Sequence, residues 1–274
     1  MGYQTIATVL NADSDQNAAF EAAIAFAKEW DADLEIYGLT LTYLDSPHYY
    51  MGASAVMIAE QAGDGKERAA AQKAEISARL KSENLRWHLH QATLPHSAIQ
   101  NYLGRNLRFC DLVLLPRPYQ GSDNVAALVE AALFDAERPV LMIPRGAATT
   151  VKMDRIALGW NGGAEALSAI RAASPLCRQA SHVDICKVVA NDADGDTPDP
   201  LLTYLRRHKI AADLSLLPMS DQGAGQTLLM HAHDSGADLL VAGAYGHSRL
   251  REAVFGGATR KLLESADIPM FMSR

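Results

Sequence analysis

The sequence repeats one arrangement of apolar runs and helical stretches, and this internal repeat constrains the fold more than any other feature. Residues 5–10 form a short apolar run that leads through turn-forming residues into a helical stretch over 16–30. Residues 155–160 lead in the same way into a helical stretch over 164–173, with Ile156 in the place of Ile6. Each half of the chain therefore begins with the same strand, loop and helix.

The repeat continues to the end of each half. The apolar run 111–115 matches 238–242, and the run 138–143 matches 268–272. The first half is longer because it carries an additional segment, within which residues 66–81 have the composition and spacing of an extended crossover helix. The whole unit is thus present twice.

Short apolar runs without strict polar alternation, separated by helical stretches, predict parallel strands that are covered on both faces. We therefore expect an α/β protein of two tandem Rossmann-like domains, each an open parallel five-stranded sheet flanked by helices. The small residues over 146–150 mark the boundary, so the expected domains span residues 1–147 and 151–274. Because this boundary is too short for a long tether, the two domains should pack together.

Composition excludes several classes of protein. The chain has 274 residues and a formal net charge of −7, so no overall basic field attracts nucleic acid or anionic lipid. No segment approaches the roughly 18 apolar residues of a membrane span, and the first residues lack the pattern of a signal or transit peptide. We expect a cytoplasmic protein without nucleic-acid or membrane partners. The three scattered cysteines fit buried thiols rather than disulfides or a paired-cysteine metal site: Cys110, Cys177 and Cys186.

A glycine-rich loop follows the predicted strand over 238–242. Glycine lets backbone approach a ligand closely, and the start of a helix presents free N–H groups and a positive dipole end to phosphate. Thr259 adds a hydroxyl donor. The same glycines would also serve a tight strand-to-helix connection, but their spacing, the following helix and the repeat together favour a phosphate site. The loop glycines and the start of the helix are Gly243, Gly246, Gly256, Gly257 and Ala258.

The spacing Gly243-x2-Gly246-x9-Gly256 resembles the nucleotide-binding signature of the ATP-binding universal stress proteins, whose domains have an adenine nucleotide alpha hydrolase-like fold. Pro139 and Pro269 extend the likeness to both halves, because they stand where such domains carry their last strand. The resemblance implies that the loop holds ribose and phosphates, and that the ends of the first and second strands contact adenine. The nucleotide-binding residues that it implies are Asn161, Gly162, Val188, Val189, Gly243, Gly246, His247, Gly256, Gly257, Ala258 and Thr259.

The sequence departs from the family pattern at two positions. Asn161 stands where the family usually has aspartate, and its side chain still offers an oxygen acceptor and an amide donor to adenine. Gly257 stands where the family usually has serine or threonine, which removes a phosphate contact worth about 1 kcal/mol unless Thr259 replaces it. Recognition of adenine should therefore survive the change at Asn161.

The first half has the same plan with a different loop. The repeat sets residues 116–123 against the start of the glycine loop, and Ala126, Ala127 and Val129 against its second pair of glycines and Thr259. Two prolines remove N–H donors, two Cβ atoms enter the approach path, the hydroxyl is lost and an aspartate adds a repelling charge. We therefore expect no ATP site of the family's type in the first half.

These observations favour a stress-response or regulatory protein that binds ATP or a related adenine nucleotide, with or without Mg²⁺, through its C-terminal domain. The N-terminal domain would complete a pseudo-dimer, since the resemblance implies that final strands over 140–144 and 270–273 pair across a two-fold axis. Two alternatives stay open: a slow ATP hydrolase, and a sensor or scaffold for a non-nucleotide ligand. A further homodimer and an unidentified protein partner stay open as well.

No residue is expected to act as a catalyst. His247 and Ser248 lie inside the glycine loop and have the chemistry of a base and a nucleophile. A catalytic triad is defined by geometry, and the sequence places no third member. We expect these two side chains to contact solvent or ligand.

The remaining polar clusters favour no metal site. The acidic stretch 191–199 lacks the glycine position and the terminal glutamate of a calcium loop. His88 and His90 would share a strand face, but no third ligand lies nearby in the sequence. His231 and His233 point apart on a predicted helix, so we expect surface or capping histidines.

Overall fold

The computed structural model describes residues 2–12, 17–42, 55–119, 123–146, 153–189, 199–244 and 265–274. Ten strands and seven α-helices lie wholly within these ranges. The strands are β1 (Thr5–Asn11), β2 (Asp33–Thr42), β3 (Trp87–Pro95), β4 (Leu112–Pro116), β5 (Val140–Ile143), β6 (Arg155–Gly159), β7 (His182–Val189), β8 (Asp213–Pro218), β9 (Leu239–Gly243) and β10 (Met270–Ser273). The helices are α1 (Asn17–Glu29), α2 (Ala55–Leu80), α3 (Ile99–Asn106), α4 (Asp123–Glu130), α5 (Ala164–Cys177), α6 (Asp199–Arg207) and α7 (Ala224–Asp234).

All ten strands form one sheet in the order β3-β2-β1-β4-β5-β10-β9-β6-β7-β8. Neighbouring strands are parallel except β5 and β10, which run antiparallel. When the strands of each half are numbered along its sequence, both halves have the same order outward from this central pair: fifth, fourth, first, second and third. The expected Rossmann-like α/β fold is therefore confirmed. The predicted boundary between residues 147 and 151 falls outside the described residues.

An aspartate before the fourth strand of each half holds the start of the first strand. Asp111 Oδ2 accepts hydrogen bonds from the backbone N–H groups of residues 4–5 at 2.7 and 3.0 Å. Asp238 Oδ2 accepts the equivalent bonds from residues 154–155, both at 3.0 Å. Since the two aspartates make the same contacts, the match of 111–115 with 238–242 in the sequence is confirmed.

The final strands join the two halves. Leu141 of β5 lies opposite Phe271 of β10. When Pro139 is aligned on Pro269, Phe271 is also the residue of the second half that is equivalent to Leu141. Residues 140 and 142 pair with 272 and 270, so the flanking positions exchange in the same way. A position that contacts its own equivalent marks a local two-fold axis. The expected pairing of the final strands is confirmed, and it covers two sheet edges that would otherwise be exposed.

Apolar side chains bury both faces of the sheet. One face, which includes Ile6 and Phe271, is covered by α1, α2, α5 and α6. The other face, which includes Val113 and Met272, is covered by α3, α4 and α7. Both buried layers contain residues from each half, as expected for strands that are covered on both sides.

Three elements run further than the sequence predicts. Helix α2 begins at Ala55 instead of residue 66, and β3 extends to Pro95 because it pairs with β2 along its whole length. Helix α5 continues to Cys177 although Pro175 lies inside it and removes one backbone donor. In the part of the chain that the structure describes, no helix has the length and apolar character needed to cross a membrane.

Candidate functional site

The candidate nucleotide site lies where the carboxyl ends of β6 and β9 meet. These strands are parallel neighbours, with Ile156 opposite Leu239 and Leu158 opposite Val241. The sheet continues from β6 to β7 on one side and from β9 to β10 on the other, so the strand order reverses at this pair. In open α/β sheets, ligands bind beyond the carboxyl ends of the strands at such a switch point.

Gly243, the last residue of β9, touches the first turn of α5. A Cβ atom at this position would lie 2.5 Å from the backbone nitrogen of Ala166 and 2.6 Å from the carbonyl carbon of Glu165. Backbone atoms of a helix cannot rotate away, so only glycine fits here. A tight connection is therefore one function of Gly243, and it brings the exit of β9 against the beginning of α5.

Asn161 and Gly162 form a tight, exposed turn after β6. Asn161 Oδ1 accepts a hydrogen bond from the N–H of Gly163 at 2.9 Å, and Gly162 has a φ of +77°. Such a φ favours glycine, because it has no Cβ. One acceptor site of the Asn161 oxygen is therefore used by the backbone, while its amide group still presents donors to solvent.

Val188 and Val189 end β7, the neighbour of β6. They lie opposite Leu217 and Pro218 of β8 and are half-buried. The carbonyl of Val189 accepts a hydrogen bond from the N–H of Met219 at 3.0 Å. Because this carbonyl is engaged, a base contact would use the other backbone groups of the two valines and their apolar surface.

The remainder of the predicted loop lies outside the described residues. The structure describes the start of the loop, where the N–H of Ala244 donates to the carbonyl of Ser273 at 2.9 Å. This bond ties the exit of β9 to the end of β10. The phosphate half of the site stays a prediction that concerns Gly246, His247, Gly256, Gly257, Ala258 and Thr259.

In the first half, the chain leaves the fourth strand with the same backbone bond and a different residue. Pro116 ends β4 where Gly243 ends β9. The N–H of Arg117 donates to the carbonyl of Ile143 at 2.8 Å, which is the equivalent of the Ala244 contact. The scaffold around the two exits therefore matches, whereas the residue that permits close approach in the second half is a proline in the first.

Two further contacts distinguish the first half. Gln72 of α2 is buried, and its Nε2 donates to the carbonyl of Leu10 near the end of β1 at 3.1 Å. The Arg145 guanidinium lies 4.0 Å from the centre of the Tyr119 ring, beyond the end of β4. In the first half, protein side chains thus pack around the ends of β1 and β4. These ends are equivalent to those of β6 and β9, where a nucleotide would bind in the second half.

Comparison of the amino-acid sequence with those of known proteins identifies two relatives. No protein-family model matches the chain. The stress response protein NhaX of Bacillus subtilis is 24% identical over 90 residues, which cover 29% of this chain and 54% of that protein. A universal stress protein of Synechocystis is 37% identical over 51 residues, which cover 19% of this chain and 18% of that protein. The chain thus spans about half the length of the first relative and about a fifth of the second.

A solved structure extends the likeness to the fold. The crystal structure of a universal stress protein from Archaeoglobus fulgidus matches with a TM-score of 0.71 and 12% identity, and the match covers 98% of this chain and 96% of that one. The chain is UspA-like. At 12% identity the structural match shows only that the fold is shared. The ligand of the UspA-like chain has to be inferred from the residues of the chain itself.

The three cysteines of the UspA-like chain are buried free thiols, as the sequence predicts. Burial raises the pKa of Cys110 and of Cys177 to about 12. Burial and the nearby charge of Asp184 raise the pKa of Cys186 still higher. Thiols with such pKa values stay protonated and are poor nucleophiles at neutral pH.

The UspA-like fold also brings together three polar side chains that the sequence did not connect. Asp184 and Cys186 lie on one face of β7, and His231 lies on α7 with its Nε2 2.7 Å from Asp184 Oδ2. The expectation of a surface or capping histidine is therefore wrong for His231, whereas His233 is exposed. The spacing of Asp184 and Cys186 in an apolar strand was a signal, but their partner lies far along the chain, on the helix that follows β8.

His88 and His90 share a face of β3, as predicted, and Glu35 of β2 lies beside both. Nδ1 of His88 is 3.3 Å from Glu35 Oε1, and Nε2 of His90 is 2.5 Å from Glu35 Oε2. The third group thus comes from the neighbouring strand. Each histidine contacts a different carboxylate oxygen at an exposed position, which is the arrangement of surface pairs. The acidic stretch over 191–198 lies outside the described residues.

Proposed function

We propose that this UspA-like chain is a stress-response or regulatory protein that binds ATP or a related adenine nucleotide between the ends of β6 and β9. The contact of Gly243 with the first turn of α5 carries the proposal, because the Asn161 turn leads directly into that turn of α5. The first half would serve as the intramolecular partner, joined through β5 and β10. The stress-response part is supported by the likeness to NhaX, a stress response protein.

Adenine would lie against the turn after β6 and the end of β7. The amide donors of Asn161 have no hydrogen-bond partner among the described residues, and an amide donor can bind a ring nitrogen of the base. Val188 and Val189 offer half-buried apolar surface to the face of the base. A small apolar patch with a few polar groups at its rim is typical of ligand sites.

The phosphates would extend from the exit of β9 into the glycine loop. The spacing of Gly243, Gly246 and Gly256 supports this placement, together with the helix predicted from Ala258. Thr259 would donate its hydroxyl to a phosphate oxygen. Mg²⁺, where present, would enter bound to the phosphates of the nucleotide.

Isothermal titration of the full chain with ATP tests the proposal. The double variant Gly256→Val plus Gly257→Val should lose ATP binding, because two side chains would then enter the phosphate path. The matched control is Ala126→Val plus Ala127→Val, which places the same side chains at the equivalent positions of the first half and should leave binding unchanged. Circular dichroism checks that both variants fold. Binding that survives the glycine substitutions would overturn the site.

A further inference from the structure

We propose that Asp184, Cys186 and His231 form a binding site for one zinc-type divalent metal ion. This site would be separate from the nucleotide crevice, and it does not depend on the proposed function. The carboxylate oxygen, thiol sulfur and imidazole nitrogen of the three side chains all lie within 4.8 Å of one another. Asp184 and Cys186 are buried, and 23% of the His231 side chain is exposed, so the cluster reaches the surface at His231.

Strand and helix geometry place the three groups together. Residues two apart on a strand point to the same face, so Asp184 and Cys186 both face α7. His231 lies near the end of α7, the helix that packs over this face. An ion at this position would therefore link the helix directly to the sheet.

The two oxygens of the Asp184 carboxylate differ in their hydrogen bonds, and this difference points to a missing ligand. Its Oδ2 accepts from Ser215 Oγ at 2.8 Å, from Cys186 Sγ at 3.6 Å and from His231 Nε2 at 2.7 Å. Its Oδ1 is buried and has no hydrogen-bond partner among the described residues. Asp184 as a whole is only 7% exposed. A buried carboxylate oxygen without a partner is costly, and a cation bound by both oxygens of Asp184 would satisfy it.

The donor set suits zinc. Zinc in proteins is bound by cysteine sulfur, histidine nitrogen and carboxylate oxygen, and bonds of about 2.0–2.3 Å place tetrahedral ligands roughly 3.3–3.8 Å apart. The oxygen-to-sulfur distance of 3.6 Å already falls in this interval, whereas the oxygen-to-nitrogen distance of 2.7 Å does not. His231 would have to move by less than about 1 Å to open the tetrahedron.

Binding conserves charge and atoms in a simple exchange. The thiol of Cys186 loses its proton to solvent and its sulfur binds the metal. His231, which donates from Nε2 to Asp184 when no metal is bound, releases that proton to solvent, takes up one on Nδ1 and binds the metal through Nε2, so one proton is released in total. Asp184 binds as a carboxylate, and Ser215 keeps it oriented through its hydroxyl. A water molecule would fill the fourth position.

Cobalt and zinc binding to the full chain, freed of metal with a chelator, test the site. We expect one Co²⁺ per chain, with the charge-transfer absorption of a thiolate ligand and the visible bands of tetrahedral cobalt. Cys186→Ser should lose the charge-transfer absorption. Cys177→Ser, which changes a buried thiol on the opposite face of the sheet, should keep it.

The histidines of α7 provide a second, independent pair. His231→Gln should weaken Zn²⁺ binding by more than roughly 100-fold, because it removes a direct ligand. His233→Gln, on the same helix and exposed, should change it by less than about 3-fold. Because His231 is partly exposed, its variant should fold even if Cys186→Ser does not. Failure to bind one metal ion, or equal binding by the two histidine variants, would overturn the proposal.

Discussion

The fourth strand ends in Pro116 in the first half and in Gly243 in the second, within scaffolds that otherwise match. In both halves an aspartate holds the start of the first strand, and the residue after the fourth strand bonds to the fifth. The shared contacts are hydrogen bonds that hold the start of the first strand and link the fourth strand to the fifth. The differing residues lie at the carboxyl edge, where a ligand would bind.

This comparison separates the residues that build the fold from those that shape a site. The two-fold pairing of β5 and β10 requires similar final strands, so each half must keep the same sheet geometry. No such requirement acts on the edge beyond the fourth strand. A proline, a buried glutamine and an arginine–tyrosine contact occupy that edge in the first half, whereas a turn and a glycine form it in the second.

The largest effect is expected at Gly243. Gly243→Ala would drive a Cβ atom into the backbone of α5, so we expect the free energy of unfolding to fall by about 3 kcal/mol and ATP binding to be lost. The control is Gly63→Ala in α2, where a Cβ atom meets no described atom within 4 Å and helix propensity improves by about 1 kcal/mol. Urea denaturation measures both. Equal changes in the free energy of unfolding for the two variants would show that the close approach of β9 and α5 does not contribute to stability.

The two aspartates test the equivalence of the halves. Asp111→Ala and Asp238→Ala each remove two hydrogen bonds between a carboxylate and backbone N–H groups. We expect each to lower the free energy of unfolding by about 2 kcal/mol, with a difference between them below about 1 kcal/mol. Urea denaturation of the two variants checks this. A large effect in one half and none in the other would break the structural comparison.

A smaller effect is expected at Glu130, which stands opposite Arg260 when Pro139 is aligned on Pro269. Burial raises the pKa of this carboxyl, and the charge of Asp135 raises it further, although a hydrogen bond from Gln100 lowers it. A carboxyl whose pKa is raised by folding binds its proton more tightly in the folded state. Stability should therefore fall as pH rises from the ordinary value of 4.5 through the raised pKa.

Glu130→Gln should remove this pH dependence. At neutral pH we expect a gain below about 1 kcal/mol, because the side chain is only half-buried and solvent screens its charge. Thermal unfolding, measured from about pH 4 to about pH 8 in steps of roughly one pH unit, follows the change in stability. A variant that keeps the wild-type slope would assign the pH dependence to other groups.

Much of the fold follows from the sequence because the repeat provides two independent copies of each signal. Apolar runs in matching positions predicted the first, fourth and fifth strands of each half, and the family resemblance predicted the pairing of the final strands. The lengths of β3 and α2 were underestimated, since β3 extends by pairing with β2 and not by its own apolar pattern. Tertiary pairing of this kind is not encoded in a local window.

Residue type and spacing predicted where the candidate site lies, and nucleotide binding there stays a prediction. Asn161 and Gly162 follow β6 and Gly243 ends the neighbouring parallel strand β9, so these residues lie at one edge of the sheet. The packing function of Gly243 could not be foreseen, since it depends on how closely α5 approaches β9. The contact of Asp184 with His231 was missed for a similar reason, because it depends on the register of α7 over β7.

The number of ATP molecules bound per chain tests the asymmetry of the two halves most directly. Native mass spectrometry of the full chain with saturating ATP counts them. We predict one ATP per chain in the wild type and in the Ala126→Val plus Ala127→Val variant, and none in the Gly256→Val plus Gly257→Val variant. Two ATP molecules per chain, or none in the wild type, would contradict a single nucleotide site in the second half.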